Sequence, residues 1–259
     1  MSSPEWFSEF FESPDSIPLS FFPTPGETDV EVAALERLLS LSPPPLPGEG
    51  AGGGERIADL CCGAGRHVLR LLERGYRAVG LDLSAMMLGR AREEARRRGV
   101  PAPFLRGDAR CLPFPDGALD VALNLFNSFG YCETDEENEQ VLRESARVLR
   151  PGGQFFLETR NPRYQILFAP VRQEVRAADG SKLVVAWRYD RASHRLTSTW
   201  RRPRLDRVVY RASIRLYQLE ELRAMLERAG LEETGVFGNY SGQEFDGWER
   251  LLIWRGRKR

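Results

Sequence analysis

One short stretch, residues 57–67, constrains this chain more than any other. It reads Ile-Ala-Asp-Leu-Cys-Cys-Gly-Ala-Gly-Arg-His, an apolar run carrying an acid, followed by a loop of small residues. A helical pattern begins directly after Gly65, so the stretch predicts a strand, a tight turn and a helix. Gly63 and Gly65 allow a sharp turn and a close approach of the backbone to a ligand. The helix N-terminus points free N–H groups into the same space, which suits the polar part of a nucleotide-like molecule.

Two known types of nucleotide-binding loop could explain this stretch. A dinucleotide fingerprint requires G-x-G-x-x-G, and the run Cys61-x-Gly63-x-Gly65 has no third glycine at the right place. The stretch better resembles the D/E-x-G-x-G-x-G loop of class I S-adenosylmethionine (SAM) methyltransferases. Asp59 is then the acid, and Cys61 replaces the first glycine. Taken alone, the loop is also compatible with an ordinary strand-to-helix turn.

Further features appear in the order that this family requires. Apolar strands ending on acids are predicted at Tyr76–Asp82 and Pro103–Asp108, and another strand is predicted at Leu119–Asn124. The turn Pro151-Gly152-Gly153 precedes a strand at residues 154–157, as is typical of the family. The resemblance covers about residues 55–160.

The resemblance implies SAM as the cofactor and gives particular residues a role. Asp82 is expected to accept both ribose hydroxyls, Asp108 to contact the adenine amino group, and the Ala109 N–H to reach the ring. The full set expected to bind SAM is Asp59, Cys61, Cys62, Gly63, Ala64, Gly65, His67, Asp82, Leu83, Met86, Asp108, Ala109, Arg110, Asn124 and Leu125.

The fold predicted is an α/β fold, a Rossmann-like doubly wound seven-stranded sheet with helices on both faces. A small antiparallel β-sheet is inserted into it, and a helical extension precedes it. We expect an extension and Pro/Gly linker at 1–54, a SAM-binding core at 55–160, an inserted β lid at 161–215, and the C-terminal part of the core sheet at 216–259.

The N-terminal extension carries an aromatic helix and a second, amphipathic one. Residues 4–12 place Trp6, Phe7, Phe10 and Phe11 on one apolar stripe. A rigid aromatic loop is expected at 21–25, and Thr28 or Asp29 is expected to cap a helix that buries Val32, Leu35, Leu38 and Leu39. Residues 42–54 are rich in proline and glycine and predict a linker.

The segment after the fifth strand is too long for a simple connection. Apolar residues alternate around Leu183–Tyr189, Leu196–Trp200 and Val208–Ile214, which predicts three antiparallel strands. The next helix is expected near Tyr217 and ends at Gly230, and the last two strands are expected at 232–237 and 250–254, one of them antiparallel.

The acceptor is expected to bind beside the segment Asn124–Tyr131, which resembles the N-x-F-x-S-F-G-Y version found in the family. Methyl transfer is an in-line displacement, so the main tasks of the protein are alignment and exclusion of water. Candidate pocket residues are Trp6, Phe7, Phe10, Phe126, Asn127, Phe129, Tyr131, Trp187 and Trp200. No catalytic base is assigned, and His67 is expected to have a structural or cofactor-side role.

Composition excludes some partners. The formal net charge is +0, so no overall basic field attracts nucleic acid. The arginine runs at 96–98 and 255–259 are interpreted as solvated faces. The 4 cysteines lack zinc spacing, and no metal site is expected. With no signal peptide or long apolar segment, we expect a cytoplasmic monomer or homodimer without membrane contact.

Three function classes remain open. The sequence favours a SAM-dependent methyltransferase that acts on the N, O or C atom of a small molecule. A nicotinamide oxidoreductase would use the same topology but needs the third glycine and a proton donor. A non-catalytic SAM-binding module is the third class. Asn124-Leu-Phe-Asn127 differs from the N/D-P-P-Y/F run of amino methyltransferases that modify nucleic acid bases.

Overall fold

The computed structural model describes residues 6–12, 23–42, 54–168, 171–176, 180–203 and 207–259. Within these ranges the helices are α1 (Trp6–Glu12), α2 (Pro25–Leu38), α3 (Arg66–Glu73), α4 (Ala85–Arg98), α5 (Asp135–Val148), α6 (Pro162–Phe168) and α7 (Leu219–Arg228). The strands are β1 (Arg56–Leu60), β2 (Arg77–Asp82), β3 (Phe104–Arg106), β4 (Leu119–Asn124), β5 (Leu149–Arg160), β6 (Val171–Arg176), β7 (Lys182–Asp190), β8 (Arg195–Arg202), β9 (Arg207–Arg215), β10 (Leu231–Phe237) and β11 (Leu251–Lys258). None of the helices in these ranges has the length and apolar character needed to cross a membrane.

The main sheet has seven strands in the order β10-β11-β5-β4-β1-β2-β3. Strands β1 to β5 pair in parallel, and β11 runs antiparallel to both β5 and β10. The predicted seven-stranded, doubly wound sheet is therefore confirmed. The order reverses between β1 and β4, and ligands of such sheets bind at this switch point, beyond the C-terminal strand ends.

Helices cover both faces of this sheet. Apolar residues of α2, α3 and α4 form one buried cluster, which includes Leu35, Leu69 and Leu88. Residues of α5 and α7, among them Leu142 and Leu222, form a second cluster on the opposite face.

Helix ends follow the local signals in the sequence. Ser84 caps α4 by accepting from the Met87 N–H at 3.0 Å, and Gly99 closes the same helix in the left-handed conformation at φ 67°. Thr134 and Glu137 form the predicted capping box at the start of α5. These contacts satisfy backbone N–H groups that a helix end otherwise leaves without partners.

The predicted start of α2 at Thr28 or Asp29 was wrong. The cap is Thr24, and its side chain and Glu27 form a capping box. Pro25 takes the first helical position, where the missing N–H is not needed. Val32, Leu35, Leu38 and Leu39 are buried as predicted. Phe21, Phe22 and linker residues 43–53 lie outside the described residues.

The inserted sheet has four strands, in the order β6-β7-β8-β9, rather than the predicted three. Its first strand, β6, was missed because its side chains are mostly exposed and polar, which leaves no alternation to detect. The short helix α6 also precedes it, so the expectation that no helix occurs before Tyr217 was wrong.

Two strands of the main sheet extend beyond their predicted limits. β5 begins at Leu149 and accommodates the Pro151–Gly153 turn through a register shift against β4. β11 continues to Lys258, so most of the arginine-rich tail is strand, while the side chains of Arg257 and Arg259 are exposed as predicted. Arg255 donates to the Leu38 carbonyl, and Lys258 Nζ donates to the Leu149 carbonyl at 2.8 Å.

Candidate active site

A cavity of about 1200 Å³ lies at the C-terminal ends of the parallel strands. Its wall includes the loops that follow β1, β2, β3 and β4, the aromatic side chains of α1, and one face of the inserted sheet. Residues of α4, the end of β5 and α6 also contribute to it. Ligand pockets in proteins commonly measure about 300–1,000 Å³. The cavity therefore has room for a cofactor and a second small molecule.

The loop after β1 is held in a left-handed turn. Gly63 has φ 55°, and its N–H donates to Asp82 Oδ2 at 2.7 Å. Cys61 also has a positive φ, of 62°, which is uncommon for a residue with a side chain. Burial raises the pKa of the Cys61 and Cys62 thiols well above their ordinary range. These thiols therefore stay protonated and do not act as nucleophiles.

Gly65 is required for packing inside the fold. A Cβ at this position would lie 2.5 Å from Cζ of Phe104 and 3.1 Å from Cβ of Ala91. The backbone here also has φ 75°, which glycine adopts without strain. Gly65 therefore allows α3 to begin tightly against β3 and α4.

Asp108 is paired within its own loop. Its carboxylate accepts from the Arg110 backbone N–H at 2.8 Å and from Arg110 Nη2 at 2.6 Å. Burial by itself raises the pKa of Asp108, but the hydrogen bonds from Arg110 outweigh it and leave the pKa lowered. Arg110 also pairs with Glu137 at 3.0 Å, so this edge of the cavity is an ordered, ionised network.

The loop after β4 is strained and firmly supported. Phe126 and Asn127 both have positive φ, 55° and 58°, and such strain in bulky residues is characteristic of functional sites. The Phe126 N–H donates to Glu158 Oε2 at 3.0 Å, and the Tyr240 hydroxyl donates to the same oxygen at 2.7 Å. Glu158 is 2% exposed, and burial raises the pKa of its carboxyl. Arg66 lies over the Phe126 ring at 5.1 Å.

Helix α1 lies over the cavity and connects two of its walls. The ring of Phe10 packs edge-on against Trp200 at 5.7 Å and Tyr210 at 5.5 Å, both in the inserted sheet. Phe7 and Phe11 pack on Tyr131 at 6.3 Å and 5.9 Å.

The C-terminal end of α1 contacts the start of α4. Glu12 accepts from the Ala85 N–H at 2.7 Å, and the Phe11 carbonyl accepts from the Ser84 hydroxyl at 2.8 Å. Ser84 follows Asp82 by two residues, so α1 meets the core beside the expected ribose-binding acid.

The inserted sheet is bound directly to the loop after β4. The Arg215 N–H donates to the Gly130 carbonyl at 2.8 Å, and a Cβ on Gly130 would lie only 2.1 Å from the Arg215 carbonyl oxygen. Arg195 Nη2 donates to the Cys132 and Glu133 carbonyls at 2.6 and 2.8 Å. Residues 125–132, which we call the acceptor loop, therefore pack against β8 and β9.

The structure brings together most of the residues that the sequence singled out for SAM. Those in the cavity wall are Asp59, Cys61, Cys62, Gly63, Ala64, His67, Asp82, Leu83, Asp108, Ala109, Arg110 and Leu125. The other three, Gly65, Met86 and Asn124, lie outside the wall, and Met87 lines it next to Met86. Asn124 is fully buried, and its side-chain amide has no hydrogen-bond partner among the described residues.

The candidate acceptor residues also converge on this cavity. Those in its wall are Phe7, Phe10, Phe126, Asn127, Phe129, Tyr131, Trp187 and Trp200. The Trp6 side chain lies outside the described part of the chain. Sequence reasoning missed further wall residues, among them Phe11, Arg66, Tyr164, Gln165, Arg160 and Arg250. Phe11 already belonged to the N-terminal aromatic stripe, but the others follow no local pattern.

His67 joins the loop region to helix α2. Its Nε2 lies 3.0 Å from Glu31 Oε2, and its Nδ1 lies 3.7 Å from Asp59 Oδ2. Arg66 also pairs with Glu31 and donates to Thr28 Oγ1 at 3.1 Å. Burial by itself lowers the pKa of His67, but the hydrogen bonds to Asp59 and Glu31 outweigh it and raise the pKa. In its protonated form, His67 therefore links two carboxylates behind the loop.

This arrangement predicts a pH-dependent contribution to stability. Because the folded pKa of His67 exceeds the ordinary value of 6.5, the contribution is complete below pH 6.5 and is lost as the pH rises through the folded pKa. Each unit of difference is worth about 1.4 kcal/mol. Urea unfolding of the wild type and of His67→Gln should show a free-energy difference that shrinks above pH 6.5. As a control, the same comparison is made in a Glu31→Gln background, where the free-energy difference should shrink less with pH because His67 has lost one partner. Parallel wild-type and His67→Gln curves would contradict the raised pKa of His67.

Comparison with known proteins gives a consistent result. The model of the methyltransferase domain family matches residues 57–153. Cypemycin N-terminal methyltransferase from a Streptomyces species is 31% identical over 203 residues, which cover 77% of this chain and 82% of that protein.

Solved structures share the fold. The CcbJ methyltransferase from Streptomyces caelestis superimposes with a TM-score of 0.74 at 20% identity, over 98% of this chain and 96% of its own. SAM-bound CalS10, an amino pentose methyltransferase from Micromonospora echinaspora, has a TM-score of 0.58 at 21% identity, over 90% and 91% of the two chains.

This chain has a doubly wound sheet with a glycine-containing loop and acidic residues at its switch point. That arrangement is typical of enzymes that bind a nucleotide-like cofactor. The chain belongs to the class I SAM-dependent methyltransferase family, and its cofactor is SAM. This membership favours methyl transfer over the nicotinamide chemistry that the sequence alone left open.

Proposed function

We propose that this enzyme methylates a small-molecule acceptor, at N, O or C, inside the cavity described above. The observation that supports this most directly is that one cavity joins the acids of the strand ends to the aromatic wall of α1 and the inserted sheet. The names of the relatives specify different acceptors, a cypemycin N-terminus and an amino pentose, so we propose no narrower class here. A cytoplasmic location and a monomer or homodimer stay predictions from the sequence.

The residues around the loop fit SAM. Each oxygen of the Asp82 carboxylate accepts one backbone N–H, from Gly63 at 2.7 Å and from Ser84 at 2.8 Å. An ionised carboxylate has about four acceptor positions, so others remain for two ribose hydroxyls. Gly63 has no side chain to fill the cavity beside it. We therefore propose that Asp82 binds the ribose, that the Asp108–Ala109 segment binds the adenine, and that the loop at Gly63 faces the methionine part.

The contribution of the protein to the reaction is positioning and exclusion of water. When bound, SAM supplies an activated methyl group on a sulfonium. The acceptor loop holds Phe126, Phe129 and Tyr131 at the cavity, and aromatic faces favour a nearby cation. Burial raises the pKa of Tyr131 to about 12, so its hydroxyl stays protonated near neutral pH and can orient an acceptor by hydrogen bonding. No general base is assigned.

Replacement of Asp82 tests the cofactor assignment. Asp82→Ala removes a charged hydrogen-bond acceptor. The net loss of one hydrogen bond to a charged group is worth about 1.5–3 kcal/mol, so SAM affinity should fall about ten- to a hundred-fold. Calorimetry with SAM measures this. Asp116→Ala, which removes an acid whose side chain is 80% exposed at the surface, is the control. Unchanged affinity in a folded Asp82→Ala protein would reject the ribose assignment.

The acceptor class is tested by product formation. The purified enzyme and SAM labelled in the methyl group are incubated with small amines, hydroxy compounds and activated carbon acids. Label transferred to a compound of this panel supports the proposal. Label transferred only to protein or nucleic acid would contradict it.

A further inference from the structure

Two arginines form the far end of the cavity. Arg160 is the last residue of β5, and Arg250 immediately precedes β11. The two strands are antiparallel neighbours, with Arg160 paired to Leu251 and the Asn161 N–H donating to the Arg250 carbonyl at 3.1 Å. Both arginines belong to the cavity wall. Both arginines therefore lie at the same end of the main sheet and contribute to the wall of the same space.

Among the described residues, neither arginine pairs with a carboxylate, whereas many other arginines do. Arg56, Arg74 and Arg147, for example, each pair with a carboxylate. The Arg160 Nε is buried and has no hydrogen-bond partner among the described residues. Burial, and then the charge of Arg250, lower the pKa of Arg160. An arginine Nε that is buried without a hydrogen-bond partner costs free energy, so its place in a cavity wall indicates a partner from outside the chain.

Glu158, the nearest acid on the same strand as Arg160, already accepts hydrogen bonds from other groups. Glu158 accepts from the Phe126 N–H and from the Tyr240 hydroxyl through one oxygen, and burial raises the pKa of its carboxyl. Tyr131, which also lines the cavity, has its pKa raised by burial to about 12 and stays neutral. Glu158 does not line the cavity, whereas Arg160 and Arg250 do, so the charge presented at this end of the cavity is positive.

Neighbouring contacts hold both arginines in place. Asn161 is 2% exposed, and its side-chain amide donates to the Gly247 carbonyl at 3.0 Å and to the Glu249 carbonyl at 2.7 Å. Its carbonyl oxygen Oδ1 accepts from the Arg163 N–H at 3.0 Å. The end of β5 and the start of β11 are thereby fixed to each other, which fixes the backbone positions from which the two arginine side chains extend.

The position of Arg160 separates it from the expected cofactor site. In the register of the sheet, Asp59 of β1 pairs with Leu123 of β4, and Leu123 pairs with Phe156 of β5. Arg160 lies four residues beyond Phe156, so strand geometry puts its Cα roughly 16 Å from that of Asp59. Two strand spacings contribute about 10 Å of this, and the distance along β5 contributes about 13 Å. Arg160 thus belongs with the acceptor loop and the insert.

We infer that Arg160, assisted by Arg250, binds an anionic group of the acceptor, a carboxylate or a phosphate. The guanidinium fork of arginine matches either oxyanion with two parallel hydrogen bonds. Bound in this way, the anion orients the rest of the acceptor toward Tyr131 and the cofactor end of the cavity. This inference rests on the proposed function, because it specifies the substrate of the same site.

Calorimetry with two simple probes tests the inference. Protein saturated with S-adenosylhomocysteine, the demethylated cofactor, is titrated with sodium acetate and, separately, with inorganic phosphate. Binding of either ion is expected in the wild type, and the ion that binds more tightly identifies the group. Arg160→Gln should weaken that binding about ten- to a hundred-fold. Arg160→Lys should restore part of it, because the charge returns without the fork. Arg188→Gln, which alters an exposed arginine of β7, is the control and should bind as the wild type does.

Methyl transfer to matched acceptor pairs provides a second readout. The pairs are β-alanine with its amide, and phosphoethanolamine with ethanolamine. The anionic member of a pair should be preferred, and Arg160→Gln should raise its KM by about ten-fold or more while changing kcat less. The neutral members should show no such change.

The remaining outcomes separate this inference from the proposed function. If neither ion binds the wild type while SAM does, the anionic-acceptor inference is wrong and the methyltransferase assignment stands. If Arg160→Gln weakens SAM itself ten-fold or more, the arginine serves the carboxylate of the cofactor, which also overturns the inference. If SAM fails to bind the wild type, the proposed function fails first.

Discussion

Replacing Gly63 with valine is expected to reduce SAM affinity by more than about 100-fold, equivalent to about 2.8 kcal/mol. Gly63 has φ 55°, where a β-branched residue is strained, and its N–H holds the Asp82 carboxylate at 2.7 Å. A Cβ would lie 3.3 Å from the Met87 methyl and would carry two more carbons into the cavity. The change therefore obstructs the space beside the loop and disturbs the acid expected to bind the ribose.

A second glycine provides the matched control for this experiment. Gly99 ends α4 at φ 67°, and a Cβ there would meet no atom within 4 Å. Gly99→Val therefore carries similar backbone strain, about 1–3 kcal/mol, far from the cavity. Both variants should unfold at lower urea concentration, but only Gly63→Val should lose SAM in calorimetry. If Gly63→Val binds SAM as the wild type does, the cofactor lies elsewhere than at this loop.

Removal of residues 1–22 should lower turnover by about ten- to a hundred-fold while SAM affinity changes less than about ten-fold. The deletion removes α1 but keeps Thr24, the cap of α2. Phe10 is 7% exposed between Trp200 and Tyr210, so its loss opens the acceptor side of the cavity to water. Closure of this kind acts on the acceptor and on turnover more than on cofactor binding. Turnover is measured with an acceptor from the small-molecule panel.

Two point variants separate this effect from a loss of stability. Phe7→Ala keeps the helix but removes a ring that packs on Tyr131, and a smaller fall in turnover is expected. Val30→Ala changes an apolar residue of α2 that is 65% exposed, and no change is expected. Thermal unfolding confirms that each protein is folded. A folded truncated enzyme that methylates at the full rate would show that α1 only covers apolar surface.

The main sheet could be predicted because its signals are local. The run Ile57–Leu60, the glycines at 63 and 65, and the acid at Asp82 each mark a strand end within a few residues. Ser84 and Gly99 likewise define both ends of α4. Such signals depend on backbone chemistry close in sequence, so they need no knowledge of distant contacts. The acids at the strand ends located the cofactor side of the cavity for the same reason.

The rest of the site depends on contacts between distant segments. Glu31 reaches His67, Glu158 supports Phe126, and Glu12 meets the start of α4. A charged residue that is buried through such contacts has the same sequence signature as one on the surface. Strand β6 was missed for a related reason, because its exposed side chains show no apolar alternation. Sequence patterns report burial and turns, but they do not report which partners meet.

The two ends of the cavity have different origins in the chain. The residues expected to bind SAM fall between Asp59 and Leu125, inside the segment 57–153 that the family model recognises. The opposite end is formed by the acceptor loop together with parts that lie outside that segment, namely helix α1, Arg160, Trp187, Trp200 and Arg250. Mutations in the outer segments can therefore change the acceptor while the cofactor loop stays intact. Selection can act on the two ends separately, and a new substrate can evolve in such an enzyme without a new catalytic apparatus.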